Sequence, residues 1–119
     1  MSRFTFYDKR GNPCAYTNDE EHIYLFNGTP VAYLYNKSVY SYTGTHLGFF
    51  SNGWVLDNSG YRVFFTEDAS GGPVKPVKRV KPVKNVRSTK PVKSVRQVKP
   101  VKPTSKLEWS RFSCNKFFE

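Results

Sequence analysis

The segment YLFNGTPVAYLYNKSVYSYTGTHLGFFSNGWVLDNSGYRVFF, residues 24–65, decides the fold. It contains three of four glycines that recur at nearly constant spacing, since Gly11, Gly28, Gly44 and Gly60 are 17, 16 and 16 residues apart. Each glycine follows a polar residue and lies between stretches rich in aromatic and β-branched residues, as in a tight turn that joins two β-strands. The sequence therefore predicts four internal repeats, each a β-hairpin.

Polar breaks separate the hairpins, and no stretch of the first 70 residues follows a helical period. We therefore predict an all-β fold, a small antiparallel hairpin array. The eight predicted strands cover residues 3–7, 13–16, 22–26, 30–35, 39–42, 46–50, 54–56 and 61–66.

The positive charge is concentrated in one part of the chain. Residues 1–72 carry five basic and seven acidic side chains, whereas residues 73–106 carry twelve basic side chains and no acidic one. The net charge of +10 therefore originates in the second region. We divide the chain into three parts: a hairpin-repeat domain at 1–70, a Gly-Gly hinge with a basic tail at 71–106, and an aromatic C-terminal segment at 107–119.

The basic tail is built from triplets, and two interpretations of it stay open. From Pro73 it reads PVK PVK RVK PVK NVR STK PVK SVR QVK PVK PTS, with Val or Thr at every middle position. Proline and lysine without acidic residues favour a disordered, self-repelling spacer. The period of three also matches an extended polyproline II helix, in which a valine edge could lie against the aromatic domain.

The C-terminal segment KLEWSRFSCNKFFE returns to the aromatic composition of the hairpin domain. We expect it to dock there as an added strand or a short helix, because ring-rich surface is available on the domain. The alternative is a short linear motif that another protein recognises.

The cysteines and the N-terminus both bear on the compartment. Cys14 and Cys114 are far apart in sequence and no CxxC pair occurs, so we expect two free thiols, with no disulfide framework and no zinc site. The segment MSRFTFYDKRG lacks the apolar core of a signal peptide, and no run approaches the roughly 18 apolar residues of a membrane span. We therefore expect a soluble, cytoplasmic protein.

The hairpin domain contains sixteen aromatic residues, more than about 70 residues are expected to bury. We therefore expect part of the ring surface to meet either an identical subunit or an elongated apolar or amphipathic ligand. A cyclic homo-oligomer, taken as a tetramer, would also cover the edge strands. The candidate rings for this ligand or inter-subunit surface are Tyr24, Phe26, Tyr33, Tyr35, Tyr40, Tyr42, Phe49, Phe50 and Trp54.

The sequence offers no nucleophile with a base and no cluster of metal ligands. His46 occupies the repeat position that Pro13, Pro30 and Arg62 hold in the other hairpins, which indicates a structural role. His22 lies in an acidic loop, where a solvated turn is the ordinary explanation. We expect no enzyme, no cofactor and no metal, and the one opening left for catalysis is a composite site between subunits.

The run quoted above, together with FYDKRGNPCAY at 6–16, resembles the 4-fold beta flower family of bacterial proteins. The resemblance covers about the first 66 residues and rests on the glycine-spaced hairpins and on HLGFFSNGW at 46–54. A proline- and lysine-rich stretch that leads to Trp109-Ser110 is similar to that family as well. The resemblance implies a small all-β subunit assembled with four-fold symmetry, with no established activity and no catalytic residue to transfer.

Two binding hypotheses follow. The first is a non-catalytic oligomeric binding or scaffold module that uses its aromatic surfaces. The second is binding of nucleic acid or another polyanion by the tail, which predicts weak, salt-sensitive affinity. The candidate residues for the second are Lys75, Lys78, Lys81, Lys84, Arg87, Lys90, Lys93, Arg96, Lys99 and Lys102.

Overall fold

A computed structural model describes residues 4–112 and 114–119. The start of the first predicted strand, Arg3, and the first three residues of the predicted hairpin domain lie outside this part. The eight strands are β1 Phe4–Tyr7, β2 Pro13–Thr17, β3 His22–Leu25, β4 Pro30–Tyr35, β5 Ser38–Tyr40, β6 His46–Ser51, β7 Trp54–Asp57 and β8 Arg62–Phe65.

The strands form a closed antiparallel barrel in chain order. Each glycine-centred hairpin pairs with the next, and β8 returns to β1 through Tyr7 and Phe65. The prediction of an all-β fold made of four hairpins is therefore confirmed. The four-fold arrangement is completed by one chain, so the sheet closes without a second subunit.

The four glycine turns share one geometry, illustrated by Gly44. Its N–H donates to the Ser41 carbonyl at 3.0 Å, and its φ of 95° lies in the left-handed region. A turn followed by a left-handed glycine adds one residue to one strand and produces a bulge. The register accordingly shifts at the same position of every hairpin, between Phe6 and Tyr7, Ile23 and Tyr24, Val39 and Tyr40, and Val55 and Leu56.

Three of the four hairpins place a small residue in the barrel interior, four residues after the turn glycine. These residues are Ala15, Ala32 and Gly48, whereas the fourth hairpin has Phe64 at this position. The space they leave is filled by Phe117, whose ring atom Cζ lies 3.1 Å from the place where a Cβ at Gly48 would stand. The interior core is therefore completed by the C-terminus of the chain.

The C-terminal segment contacts the barrel first as a strand and then as a short helix. Trp109 forms an isolated parallel bridge with Arg62, whose carbonyl accepts the N–H of Ser110 at 2.7 Å. The helix α1, Cys114–Phe117, follows. We call residues 114–118 the plug, because Phe117 and Phe118 pack against Phe64 inside the barrel.

The expectation of two free thiols is wrong. Cys14 in β2 and Cys114 at the start of the plug form a disulfide, with their Cα atoms 5.4 Å apart. Separation in sequence was a poor guide to distance, because the chain between the two cysteines travels around the barrel and returns to β2.

Residues 73–106 contain neither helix nor strand, but they are ordered against the barrel. The disordered-spacer interpretation is therefore wrong. We call residues 73–108 the belt, since they circle the barrel once. At the polyproline II rise they span about 110 Å, which is also the circumference of a circle about 35 Å across, and the molecule measures 36 × 35 × 27 Å.

The four-residue α1 is short. Within residues 4–112 and 114–119 no helix has the length and apolar character to cross a membrane.

Candidate functional site

The barrel carries a second aromatic layer on its outer side. Along β1, for example, Phe6 belongs to the interior core and Tyr7 to a separate cluster, as strand alternation requires. Ten rings form three such clusters, and each ring is no more than 8% exposed. We call them the aromatic wall: Tyr7, Tyr16, Tyr24, Phe26, Tyr33, Tyr40, Tyr42, Phe49, Trp54 and Phe65.

Seven of the nine rings predicted to meet a ligand or a neighbouring subunit lie in this wall. Phe50 instead packs against the interior core, and Tyr35 stays 49% exposed. The expectation that the chain has too many rings to bury is wrong, because the hairpin domain is not alone. The belt supplies the second surface.

The belt follows a nine-residue period in register with the four glycine turns. At each turn the glycine carbonyl accepts a backbone N–H from the belt at 2.8–2.9 Å. The donors, nine residues apart, are Arg79 to Gly11, Ser88 to Gly28, Gln97 to Gly44 and Lys106 to Gly60. The 16- or 17-residue hairpin and the nine-residue belt unit are thus two halves of one repeat.

Prolines occupy the triplet starts that bond to no barrel carbonyl in the described part of the chain. Pro73, Pro82, Pro91 and Pro100 each begin a nine-residue unit. At the fourth position of the unit, Asn85 and Ser94 donate to the carbonyls of Phe26 and Tyr42 at 2.9 Å, whereas the other two units have proline. Because proline has no N–H, its placement matches the hydrogen-bond pattern. This nine-residue period was visible in the sequence beneath the triplets.

Close contact makes glycine necessary at the turns. A Cβ on Gly44 would overlap the carbonyl oxygen of Val95, and the same overlap recurs between Gly28 and Val86. The belt backbone therefore lies directly on the turn.

The belt's cations face the aromatic wall. Lys84 lies 4.4 Å from the ring centre of Tyr16, and Lys93 lies 4.5 Å from that of Tyr33. A cation over a ring face is attracted by the ring quadrupole. The further pairs are Lys75 with Trp54, Lys78 with Tyr7, Arg87 with Tyr24, Arg96 with Tyr35 and Tyr40, and Lys106 with Tyr61.

The valines face away from the barrel, which corrects the expectation of a valine edge lying against it. Nine belt valines are 88–95% exposed. The cations take the inward positions, because the tyrosine faces attract charge. We call these nine residues the valine edge: Val74, Val77, Val80, Val83, Val86, Val92, Val95, Val98 and Val101.

Most of the residues predicted to bind a polyanion already have partners in the protein. Lys81 forms an ion pair with Glu67 at 3.5 Å, and Lys99 donates to the Asn36 carbonyl at 2.6 Å. With the ring contacts above, eight of the ten candidates are engaged. Among the described residues, Lys90 and Lys102 make no such contact.

The two ends of the belt meet at Trp54. Lys75 approaches the Trp54 ring face to 5.7 Å, and the ring of Trp109 lies 5.5 Å away. Arg62 covers the same ring at 4.8 Å and donates from Nε to the Lys106 carbonyl at 2.7 Å. We call this contact the seam, and sequence reasoning had not assigned Trp109 to it.

His46 is a structural residue that joins barrel and belt. Its Nδ1 lies 2.7 Å from the Asn58 amide oxygen and its Nε2 lies 2.9 Å from the Ser38 hydroxyl, while its backbone N–H donates to the side chain of Gln97 at 2.8 Å. Burial lowers the pKa of His46, although the Asn58 contact opposes that shift. The ring is therefore neutral at pH 7, with Nδ1–H donating to Asn58, and both nitrogens are occupied.

His22 belongs to a hydrogen-bonded loop around Asp19. Burial raises the pKa of the Asp19 carboxyl, but hydrogen bonds from His22, the Glu21 backbone and Thr17 outweigh it and hold the pKa well below its usual range. These contacts satisfy the carboxylate within the turn.

Asp8, Cys14 and Cys114 are the one group of three metal-capable side chains in the described residues. Both sulfurs belong to the disulfide, so they are not thiolate ligands. A second carboxylate, Asp57, lines a cleft of about 440 Å³ and accepts the Ser110 hydroxyl at 2.7 Å. It also accepts the backbone N–H groups of its own turn, which accounts for its position without chemistry.

Comparison with known proteins gives one match, to the family described as 4-fold beta flower protein. The match covers residues 4–118. It therefore includes the belt and the plug, whereas the resemblance seen in the sequence reached only residue 66. No curated protein and no solved structure matches the chain. The chain belongs to the 4-fold beta flower protein family.

Proposed function

We propose that the protein is a non-catalytic scaffold module that binds through the valine edge, and that its partner there is further copies of the same chain. One observation carries the proposal: nine valines, 88–95% exposed, are held outward on a backbone that is hydrogen-bonded to a rigid barrel. Large contiguous apolar surfaces on soluble proteins mark interaction sites.

The preference for valine at these positions has no explanation within one molecule. A β-branched residue favours extended backbone, and all eleven outward positions are β-branched. Threonine meets that need without exposing apolar surface, and it occupies two of the eleven positions, Thr89 and Thr104. Valine at the other nine is therefore expected to serve contact with another surface.

The extent of the valine edge favours assembly from several copies. Nine exposed valines present about 1,000 Å² of apolar surface, above the roughly 300–600 Å² of the largest patch on a typical monomer. Because the belt circles the molecule, one neighbour covers only part of the edge. The tetramer stays a prediction, and its support now rests on the valine edge instead of on the aromatic rings.

An elongated apolar ligand on the aromatic wall is the less favoured binding mode. The belt lies over these rings, and among the rings predicted for this role Tyr35 alone stays exposed. Such a ligand would first have to displace the belt.

The test is the molar mass in solution, measured by sedimentation equilibrium at low and high salt. The wild-type chain is expected to be larger than 13.7 kDa and to associate more strongly as salt screens the belt's positive charge. A variant with Val77, Val86, Val95 and Val98 changed to threonine keeps the β-branching and should remain monomeric. A monomeric wild-type chain at every salt concentration would contradict the proposal.

A second candidate function is polyanion binding by the belt. The observation in its favour is that Lys90 and Lys102 have no partner among the described residues, within a region that carries twelve basic side chains. Heparin is a suitable probe, and here salt should weaken binding, the opposite sign to self-association. The double variant K90Q/K102Q should bind heparin more weakly, and unchanged affinity would reject this site.

The cytoplasmic location stays a prediction. The Cys14–Cys114 disulfide favours an oxidising compartment instead, or a reversible bond within a reducing one.

A further inference from the structure

We propose that the Cys14–Cys114 disulfide is a reversible latch that keeps the belt closed over the aromatic wall, and that a dithiol reductant opens the belt from its C-terminal end. The bond joins β2 to the plug, at the point where the chain has completed its circuit of the barrel.

The belt depends on its ends because its middle makes weak contacts. The valines face solvent, and each nine-residue unit donates only one or two backbone hydrogen bonds to the barrel. Elements with little buried apolar surface open first. The N-terminal end of the belt is continuous with β8 through Gly71-Gly72, whereas the C-terminal end is held by the seam, the plug and the disulfide.

The disulfide is accessible from one side. Cys14 is 7% exposed, whereas Cys114 is only partly buried. A reductant can therefore attack at Cys114 without unfolding the barrel.

The reduced state also has a partner in the structure. One carboxylate oxygen of Asp8 lies 3.6 Å from Cys114 Sγ, and the other accepts the N–H groups of Arg10 and Asn12 at 2.9 Å, which fixes the carboxylate in place. After reduction the Asp8 carboxylate can accept the S–H of Cys114. A nearby negative charge also disfavours the thiolate, so the dithiol state persists until an oxidant acts.

The chemical step is thiol–disulfide exchange. A thiolate of the dithiol attacks Cys114 Sγ, the bond to Cys14 breaks, and Cys14 leaves as a thiolate that takes up a proton. The second thiol of the reductant then displaces Cys114. Two electrons and two protons pass to the protein, and the reductant becomes a disulfide.

Opening exposes a surface that the closed protein hides. The seam separates first, which removes Trp109 from Trp54. The last belt unit then leaves Gly60, and the preceding unit leaves Gly44 and the rings beside it, including Tyr33 and Tyr40. These are among the rings that the sequence assigned to ligand binding.

The two tryptophans of the chain both lie at the seam, so their fluorescence reports on it directly. Dithiothreitol added to the full-length protein should shift the emission to longer wavelength and raise the fluorescence of the dye ANS several-fold, and reoxidation should reverse both changes. The variant C14S/C114S is the matched control, and dithiothreitol should have no effect on it. Without reductant, trypsin should cleave this variant within residues 79–106 at least tenfold faster than the oxidised wild type.

Unchanged tryptophan emission on reduction would overturn the proposal. Loss of the β-sheet circular dichroism signal together with the emission shift would also overturn it, because the bond would then support the whole fold. If C14S/C114S fails to fold, the response of the wild-type protein to dithiothreitol and to reoxidation decides the question alone.

Discussion

The barrel and the belt each contain four repeats, but different interactions order them. The barrel hairpins are held by strand ladders and an apolar interior. A belt unit has one or two backbone hydrogen bonds to the barrel, cations over rings, and valines that face solvent. The comparison shows that a low-complexity segment can acquire its order from a template, because the turn glycines recur in step with the belt's N–H donors.

The largest expected effect concerns the barrel interior. Phe117→Ala removes the ring that fills the space beside Gly48, and we expect the free energy of unfolding to fall by about 3–5 kcal/mol. Phe112→Ala is the control, since Phe112 is 36% exposed and should change stability by less than about 1 kcal/mol. Urea unfolding measures both, and equal effects would show that the plug is not part of the core.

The next effect lies where barrel and belt meet. Gly44→Ala forces a left-handed residue to carry a Cβ that overlaps the Val95 carbonyl, so we expect a loss of about 2–4 kcal/mol. Gly71→Ala also has positive φ but nothing within 4 Å of the added atom, and it should cost only about 1 kcal/mol. Similar losses in the two variants would mean that the belt does not lie on the turn.

A smaller effect tests the belt alone. Ser94→Pro removes the N–H that the Tyr42 carbonyl accepts, and we expect a loss of about 1–2 kcal/mol. Pro91→Ser, one triplet earlier, adds an N–H where no barrel bond exists and should cost less than about 1 kcal/mol. Thermal unfolding of the two variants gives the difference, and a larger loss in Pro91→Ser would refute the hydrogen-bond pattern.

The smallest effect comes from one proton at His46, which touches both parts. Burial lowers the folded-state pKa of His46, so the unfolded chain takes up the proton first as the pH falls. Stability should therefore be full above about pH 6.5 and decline below it, until the pH reaches the folded-state pKa. In His46→Gln this part of the pH profile should be flat. A wild-type profile with the same slope as the variant would contradict the assignment.

The hairpins were predictable from local residues, whereas the contacts of the tail were not. A turn glycine and alternating aromatics act within about ten residues, so Gly28 or Gly44 is enough to indicate a hairpin. The valines were placed on the wrong side because apolar residues usually face inward, and here the tyrosine faces attract the cations instead. The burial of rings such as Tyr33 was missed because the hairpin domain was considered without its belt.

The disulfide was missed for a related reason. Cys14 and Cys114 are neighbours only because the belt makes one full circuit, and that circuit depends on the nine-residue period. The positions of proline in residues 73–108 held this information, but the stronger triplet pattern masked it.

The most direct test of the account is hydrogen exchange at single belt amides, followed by NMR in the oxidised full-length protein. We predict slow exchange for the amides that the turn carbonyls accept, those of Arg79, Ser88, Gln97 and Lys106, and fast exchange for their valine neighbours. The period of protection should be nine residues. Uniformly fast exchange from 73 to 106 would contradict the account, because the tail would then be a spacer and not a belt.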